Sequence, residues 1–214
     1  MKVGTDSVLL GCWLTCEKAK NILDIGCGTA LITLMLAQRN LKSNVVGIEI
    51  DERASNEALL NISNSDWEER IVIKHTSLQH FIPQIKFELI VSNPPFFSQN
   101  QFQQSRDIAR HVNRLSFEDL IDNAAKLLTG KGIFSVVIPK NNEEYFCEIA
   151  AFHKLYCNRV CYVKGNERSQ VKRVMIEFSF IPSVVLTECL TIERSRHNYT
   201  EKYIELCKDF YLKM

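Results

Sequence analysis

The sequence predicts an α/β protein built on a mostly parallel sheet with helices on both faces. Three observations carry that expectation. Apolar runs of strand length alternate with longer stretches of helical spacing, the first run leads through a glycine turn into a helix, and the second run ends in a carboxylate. At 214 residues, 46% hydrophobic and 24% charged, the chain has the size and composition of one globular domain. No low-complexity segment, repeat or linker divides residues 1–214.

Taken in order, Thr5 or Asp6 is expected to cap a short helix whose apolar residues, from Val8 to Leu14, pack on the sheet. Ile22-Leu23-Asp24-Ile25 reads as a first strand. It runs into Gly26-Cys27-Gly28-Thr29 and then a helix over 30–39, which together make a nucleotide-binding turn. Val45-Val46-Gly47-Ile48-Glu49 is a second strand, and its terminal Glu49 lies where a Rossmann-like fold places the acid that binds ribose hydroxyls. A helix over 51–64 and the strand Ile71-Val72-Ile73-Lys74-His75 follow, and then the strand Phe87-Glu88-Leu89-Ile90-Val91-Ser92. Residues 97–113 are polar, glutamine-rich and long for a loop, as expected of a substrate-facing element. Ser116 should cap a helix over 117–128 ended by Gly130, before a fifth strand, Ile133 to Ile138. After a helix over 142–152, two extended runs at 155–163 and 171–180 predict an antiparallel hairpin at the sheet's edge, giving seven strands in all. A last helix over 200–214 should dock by Tyr203, Leu206, Cys207 and Phe210.

The chemistry concentrates in Asn93-Pro94-Pro95-Phe96, directly after the fourth strand. Proline at 94 removes a ladder donor and pushes Asn93 into an extended conformation, so the tetrapeptide forms a stiff loop at a carboxyl strand end, where open α/β sheets bind ligands. The Asn93 carboxamide oxygen and the Pro94 carbonyl are two acceptors, and Phe96 is a flat face. That set suits a planar group bearing an NH2. Two acceptors that draw its N–H bonds towards a pyramidal arrangement localise the nitrogen lone pair and stabilise charge that develops in the transition state. An ordinary turn after a strand is the alternative reading of the same residues.

Composition excludes other classes. No apolar run is long enough for a helical membrane span and no basic-then-apolar leader opens the chain, so the cytoplasm is the expected compartment. Eight cysteines in such a chain are expected to be reduced, and none falls in a Cys-x2-Cys pair. Cys157 and Cys161, with His153 upstream, are expected to be small buried hydrophobes on one strand face rather than metal ligands. The net charge of +1 does not advertise nucleic acid, although two local basic stretches stand out: Arg106, Arg110, His111 and Arg114, and then Lys164, Arg168, Lys172 and Arg173.

A dinucleotide fingerprint would place a third glycine or alanine at Leu31, which argues against a dehydrogenase. Asp24-x-Gly26-x-Gly28-Thr29 instead resembles the first motif of class I S-adenosylmethionine-dependent methyltransferases. Asn-Pro-Pro-Phe also occurs in methyltransferases acting on protein glutamine, DNA adenine and guanine-N2 of ribosomal RNA. Three further stretches narrow the resemblance: Met1-Lys2-Val3-Gly4-Thr5-Asp6-Ser7-Val8-Leu9-Leu10-Gly11; Leu34-Met35-Leu36-Ala37-Gln38-Arg39; and Asn198-Tyr199-Thr200-Glu201 with Phe210-Tyr211-Leu212. Over essentially its whole length the chain resembles the bacterial tRNA1(Val) adenine-N6 methyltransferases, although it lacks the short stretch those proteins usually carry before Lys-Val-Gly-Thr-Asp.

The resemblance implies methylation of the adenine just 3′ of the anticodon, with S-adenosylmethionine as cofactor and tRNA as partner, by a monomer without metal. It implies that Asp24, Gly26 and Gly28 hold the cofactor's methionine side, Glu49 its ribose, and Ser77 or Leu78 its adenine, with Cys27 and Asn93 also among the cofactor-binding residues. Ser77 stands where the family tends to have an aspartate, which makes it a weaker acceptor. Asn93, Pro94, Pro95 and Phe96 are then the catalytic residues. A non-catalytic RNA-binding module is the alternative from another class.

Overall fold

A computed structural model describes residues 4–95 and 115–212. The expected substrate-facing element at 97–113 lies outside the described residues, as do Phe96, Arg106, Arg110, His111 and Arg114. Among the described residues one sheet orders the chain. Its strands are β1 (Asn21–Ile25), β2 (Asn44–Glu49), β3 (Ile71–His75), β4 (Phe87–Ser92), β5 (Leu128–Pro139), β6 (Tyr156–Asn166), β7 (Val171–Ser179), β8 (Leu186–Ser195) and β9 (Asn198–Tyr199). Their order is β3-β2-β1-β4-β5-β7-β6-β8-β9. The first five are parallel, and β7 inserts antiparallel between β5 and β6.

The seven expected strands are therefore present, and β8 and β9 extend them. Because β8 pairs parallel with β6, the β6–β7 hairpin is internal and not the sheet's edge. The extension is secured by a cross-strand ion pair, Arg159 Nε to Glu188 Oε1 at 2.6 Å. Strand β5 also starts earlier than expected. Leu128 is already extended, so the preceding helix ends at Leu127 and Gly130 lies in the strand instead of capping the helix.

The helices are α1 (Thr5–Trp13), α2 (Leu31–Arg39), α3 (Glu52–Ser63), α4 (Phe117–Leu127), α5 (Glu143–Phe152) and α6 (Glu201–Cys207). Asp51, Ser116 and Thr200 cap α3, α4 and α6 by accepting a backbone N–H two or three residues into each helix. Helix α1 departs from expectation. Gly4 occupies its cap position without a side-chain bond, and Asp6 pairs with Arg173 Nε at 2.8 Å.

Alternation along the strands sorts the core into two layers. Ile22, Leu89, Val91 and Val137 pack towards α1, α2, α3 and α6, whereas Leu23, Ile25, Ile90, Phe134 and Val136 pack towards α4 and α5. The second layer centres on Phe146, whose ring lies 6.2 Å from Phe134 and 5.8 Å from Phe178. Cys157 and Cys161 were expected on one face of β6. A bulge between Cys157 and Arg159 shifts the alternation, so Cys161 joins the first layer and Cys157 the second. No cluster of metal-ligating side chains occurs among the described residues. Nor is any helix among them long and apolar enough to cross a membrane.

Candidate active site

The strand order reverses between β1 and β4, the switch point at which the crossovers on either side diverge and leave a crevice. A cavity of about 500 Å³ opens there, lined by residues that follow the carboxyl ends of β1, β2, β3 and β4. Asp24, Gly26, Cys27, Gly28, Glu49, Ser77, Leu78, Asn93, Pro94 and Pro95 all line it, so residues spread over seventy positions of sequence converge.

The glycine turn is shaped by backbone conformation. Gly26 and Gly28 adopt φ of +71° and +57°, left-handed values that a Cβ penalises. Ala30 takes the same conformation at φ +69° and delivers the chain into α2, whose first residues, Leu31 and Ile32, reach the cavity. The N–H groups of Gly26 and Cys27 donate to the Ile48 carbonyl at 2.9 and 3.0 Å, which binds the turn to β2. Gly47 makes room beneath it: a Cβ there would stand 2.9 Å from the Cys27 sulfur. Burial pushes the Cys27 thiol far up, so it serves as packing and not as a nucleophile.

Glu49 is the centre of this arrangement. Its Oε2 accepts from the Gly28 N–H at 2.8 Å, and its Oε1 accepts from Ile50 and Asp51 at 2.8 and 2.9 Å. A carboxylate offers about four lone-pair directions, so at least one remains for a ligand hydroxyl. Asp24 is only 1% exposed, and its Oδ2 accepts from the Thr33 hydroxyl at 2.6 Å. Burial pushes its carboxyl up to about 7, with the Glu49 charge adding to the effect and the Thr33 bonds opposing it. After β3, Ser77 shares a 2.9 Å hydrogen bond with His80 Nδ1, and Leu78 is buried as an apolar wall.

On the opposite wall the Asn93 carboxamide donates through Nδ2 to Ser7 Oγ at 2.8 Å, and its acceptor end, Oδ1, meets no donor among the described residues. Ser92 holds the loop's base by donating to the Ile25 carbonyl at 2.9 Å. Sequence reasoning missed Ser7 and Gly4, both of which line the cavity, because α1 reads only as a packing helix. Their membership in the opening Gly4-Thr5-Asp6-Ser7 string was the signal. Thr33 was missed as well, though it lies nine residues after Asp24, within the first turn of the helix that the glycine turn begins.

The crevice therefore joins a turn suited to a nucleoside-bearing ligand with a stiff loop presenting acceptors to an amino group. On this sheet, that combination defines a class I methyltransferase. Residues 2–155 match the family model described as methyltransferase small domain. Proteins named tRNA1(Val) (adenine(37)-N6)-methyltransferase from Flavobacterium psychrophilum and Christiangramia forsetii are 44% and 42% identical to this chain. The alignments cover all of it and 94% and 92% of those proteins. The chain belongs to the tRNA1(Val) (adenine(37)-N6)-methyltransferase family.

More distant solved structures share the fold. A predicted O-methyltransferase from Agrobacterium tumefaciens superposes with a TM-score of 0.74 at 17% identity, covering 95% of this chain and 96% of that one. The N-methyltransferase NodS from Bradyrhizobium japonicum gives 0.57 at 18%, covering 81% and 92%.

Proposed function

We propose that this protein transfers a methyl group from S-adenosylmethionine to the N6 amino group of the adenine 3′ of the anticodon in tRNA1(Val), adenine 37 in the family's name. The observation that carries the reading is the convergence of the glycine turn, Glu49 and Asn93-Pro94-Pro95 on one cavity in a chain similar to those enzymes over its whole length.

The residues present fit the cofactor. Glycines at 26 and 28 let the backbone approach the ligand closely, and the N-terminus of α2 suits its carboxylate. Asp24 suits its ammonium, Glu49 keeps a lone pair for a ribose hydroxyl, and Leu78 offers an apolar face to its adenine. When bound, S-adenosylmethionine supplies an electrophilic methyl group. The Asn93 Oδ1 and the Pro94 carbonyl accept the two N–H bonds of the target amine, holding its lone pair in line with that methyl, and Phe96 stacks on the base. No dedicated general base is needed, because the methylated nitrogen is acidic enough to lose its proton to these acceptors or to water. Orientation and electrostatics supply the acceleration.

For the RNA, β7 begins beside the carboxyl end of β5, Pro139 opposite Arg173, so the β6–β7 hairpin tip points along the catalytic edge. Three strand spacings of about 4.8 Å separate β4 from β6 laterally by roughly 14 Å, and the tip projects beyond Asn93 along the strand direction. Lys164, Arg168 and Lys172 there, and Arg106 and Arg110 outside the described residues, are the phosphate contacts. Arg173 is engaged with Asp6 and acts on α1 instead. The protein works where tRNA is, in the cytoplasm.

The test is transfer of labelled methyl to tRNA from cells lacking this activity, followed by nucleoside mass spectrometry. N6-methyladenosine beside the anticodon is the expected product; methyl transfer only to ribosomal RNA, DNA or protein overturns the assignment.

A further inference from the structure

We infer that Ser7 is a positioning residue for the reaction, holding the Asn93 carboxamide by its NH2 end while its oxygen faces the target amine. The inference rests on the reading of Asn93 as the acceptor for that amine. A carboxamide carries an acceptor at one end and a donor at the other, and rotation by half a turn about its last bond exchanges them with little change in shape. Only one orientation works. The oxygen accepts from the target N–H, whereas the NH2 group would meet it donor to donor.

The target amine brings N–H donors, so both ends are satisfied when Oδ1 faces it and Nδ2 donates to the Ser7 hydroxyl, which anchors the carboxamide in that position. Its Oγ lies 2.8 Å from Asn93 Nδ2 and accepts from it, which turns Oδ1 away from α1. Both residues line the same cavity. Among the described residues the partner of this nitrogen is a side chain 86 positions earlier in the chain, not a carbonyl of the loop itself.

The hydroxyl is placed rigidly because α1 is held along its length. Next to Ser7, Asp6 is bound by Arg173 Nε of β7 at 2.8 Å. Just beyond the helix, the Thr15 N–H donates to Glu177 Oε1 of the same strand at 2.6 Å. Between them Trp13 lies under the Arg159 guanidinium, 4.2 Å from its ring centre. The antiparallel part of the sheet thus supports α1, and α1 orients a side chain at the end of β4. Sheet, helix and catalytic loop form one mechanical chain.

The experiment is a double-mutant cycle in single-turnover methyl transfer to tRNA, with cofactor affinity measured alongside by calorimetry. Ser7→Ala should lower the rate about fivefold to tenfold, the scale of one neutral hydrogen bond, with cofactor affinity unchanged. Ser7→Thr, which keeps the hydroxyl, should restore most of the rate. In an Asn93→Ala background, Ser7→Ala should have no further effect, because no carboxamide remains to orient. An equal loss in both backgrounds, or weakened cofactor binding with an unchanged rate, overturns the role. A rate that survives Asn93→Ala itself overturns the reading of the site, and that result is separable from a failure confined to Ser7.

Discussion

Gly28 donates its backbone N–H to Oε2 of Glu49 at 2.8 Å, so the acid at the end of β2 is tied to the turn at the end of β1. The carboxylate therefore has two tasks. It ties down the turn through the Gly28 N–H and its own loop through the Ile50 and Asp51 N–H groups, and it keeps a lone pair for a ligand.

That double role predicts an unusually costly isostere. In Glu49→Gln the side chain keeps its size, but one oxygen becomes an NH2 that must face at least one backbone donor. Hydrogen bonds to a charged group are worth about 1.5–3 kcal/mol each. Cofactor affinity by calorimetry should therefore fall roughly 10- to 100-fold, with thermal stability reduced as well. A variant that binds normally would show that Glu49 serves neither task.

Asp24 predicts a pH dependence. Its carboxyl is raised from 3.8 to about 7 by burial, so the folded protein holds that proton more tightly than the unfolded chain does. The contribution to stability is then complete below pH 4 and is lost as pH rises through about 7. Denaturant titrations between pH 4 and 7 should show this downward slope, and Asp24→Asn should flatten it. Binding of an ammonium-bearing ligand beside Asp24 favours its ionised form. Cofactor binding near pH 7 should therefore release protons, seen as a dependence of the calorimetric enthalpy on the buffer's ionisation heat.

How much of this was legible in sequence depends on the range of the interaction that fixes each element. Strands β3 and β4 follow their apolar runs residue for residue, because a short buried run between breakers leaves little choice. Strand β8 was missed: Leu186, Leu190 and Ile192 do share one parity, but much of the strand is exposed, and what secures it is pairing with β6 and Arg159. At the site, Asp24, Glu49 and Asn93 could be read because each ends or interrupts an apolar strand with a polar group that needs a reason. Ser7 could not, since nothing in a helix sequence says that its hydroxyl meets an asparagine 86 residues away.

The basic hairpin predicts a salt effect separable from chemistry. The Asn166 Oδ1 accepts from the N–H groups of Arg168 and Ser169 at 3.1 and 3.0 Å, so the tip is a fixed turn presenting an exposed Arg168. Reversing Lys164, Arg168 and Lys172 together should weaken tRNA binding and reduce the slope of log affinity against log salt by about 2, the release expected for three phosphates. Cofactor affinity should not change. An unaltered slope would make the hairpin ordinary solvated surface.

The strongest single effect is expected at Asn93. In the proposed mechanism, removing its carboxamide takes away one of the two acceptors for the target amine, and the Pro94 carbonyl alone does not hold the lone pair in line. Loss of one preorganised electrostatic partner at a reacting centre costs on the order of 100- to 1,000-fold in turnover. Its neighbours argue that little else should move. Asn93 is only half-buried, Ser92 anchors the loop independently through the Ile25 carbonyl, and the two prolines stiffen it without help from the side chain. Asn93→Ala should therefore bind cofactor with near-normal affinity and unfold at a near-normal temperature while transferring methyl to tRNA very slowly. Asn93→Asp adds a distinct signature. It keeps an acceptor of the same size, and its second oxygen can now accept from the Ser7 hydroxyl in place of donating to it. It should thus retain more activity than Asn93→Ala at pH above the carboxyl's titration and lose that advantage below it. Equal rates for the two variants across pH would show that the acceptor at this position contributes nothing to the transfer.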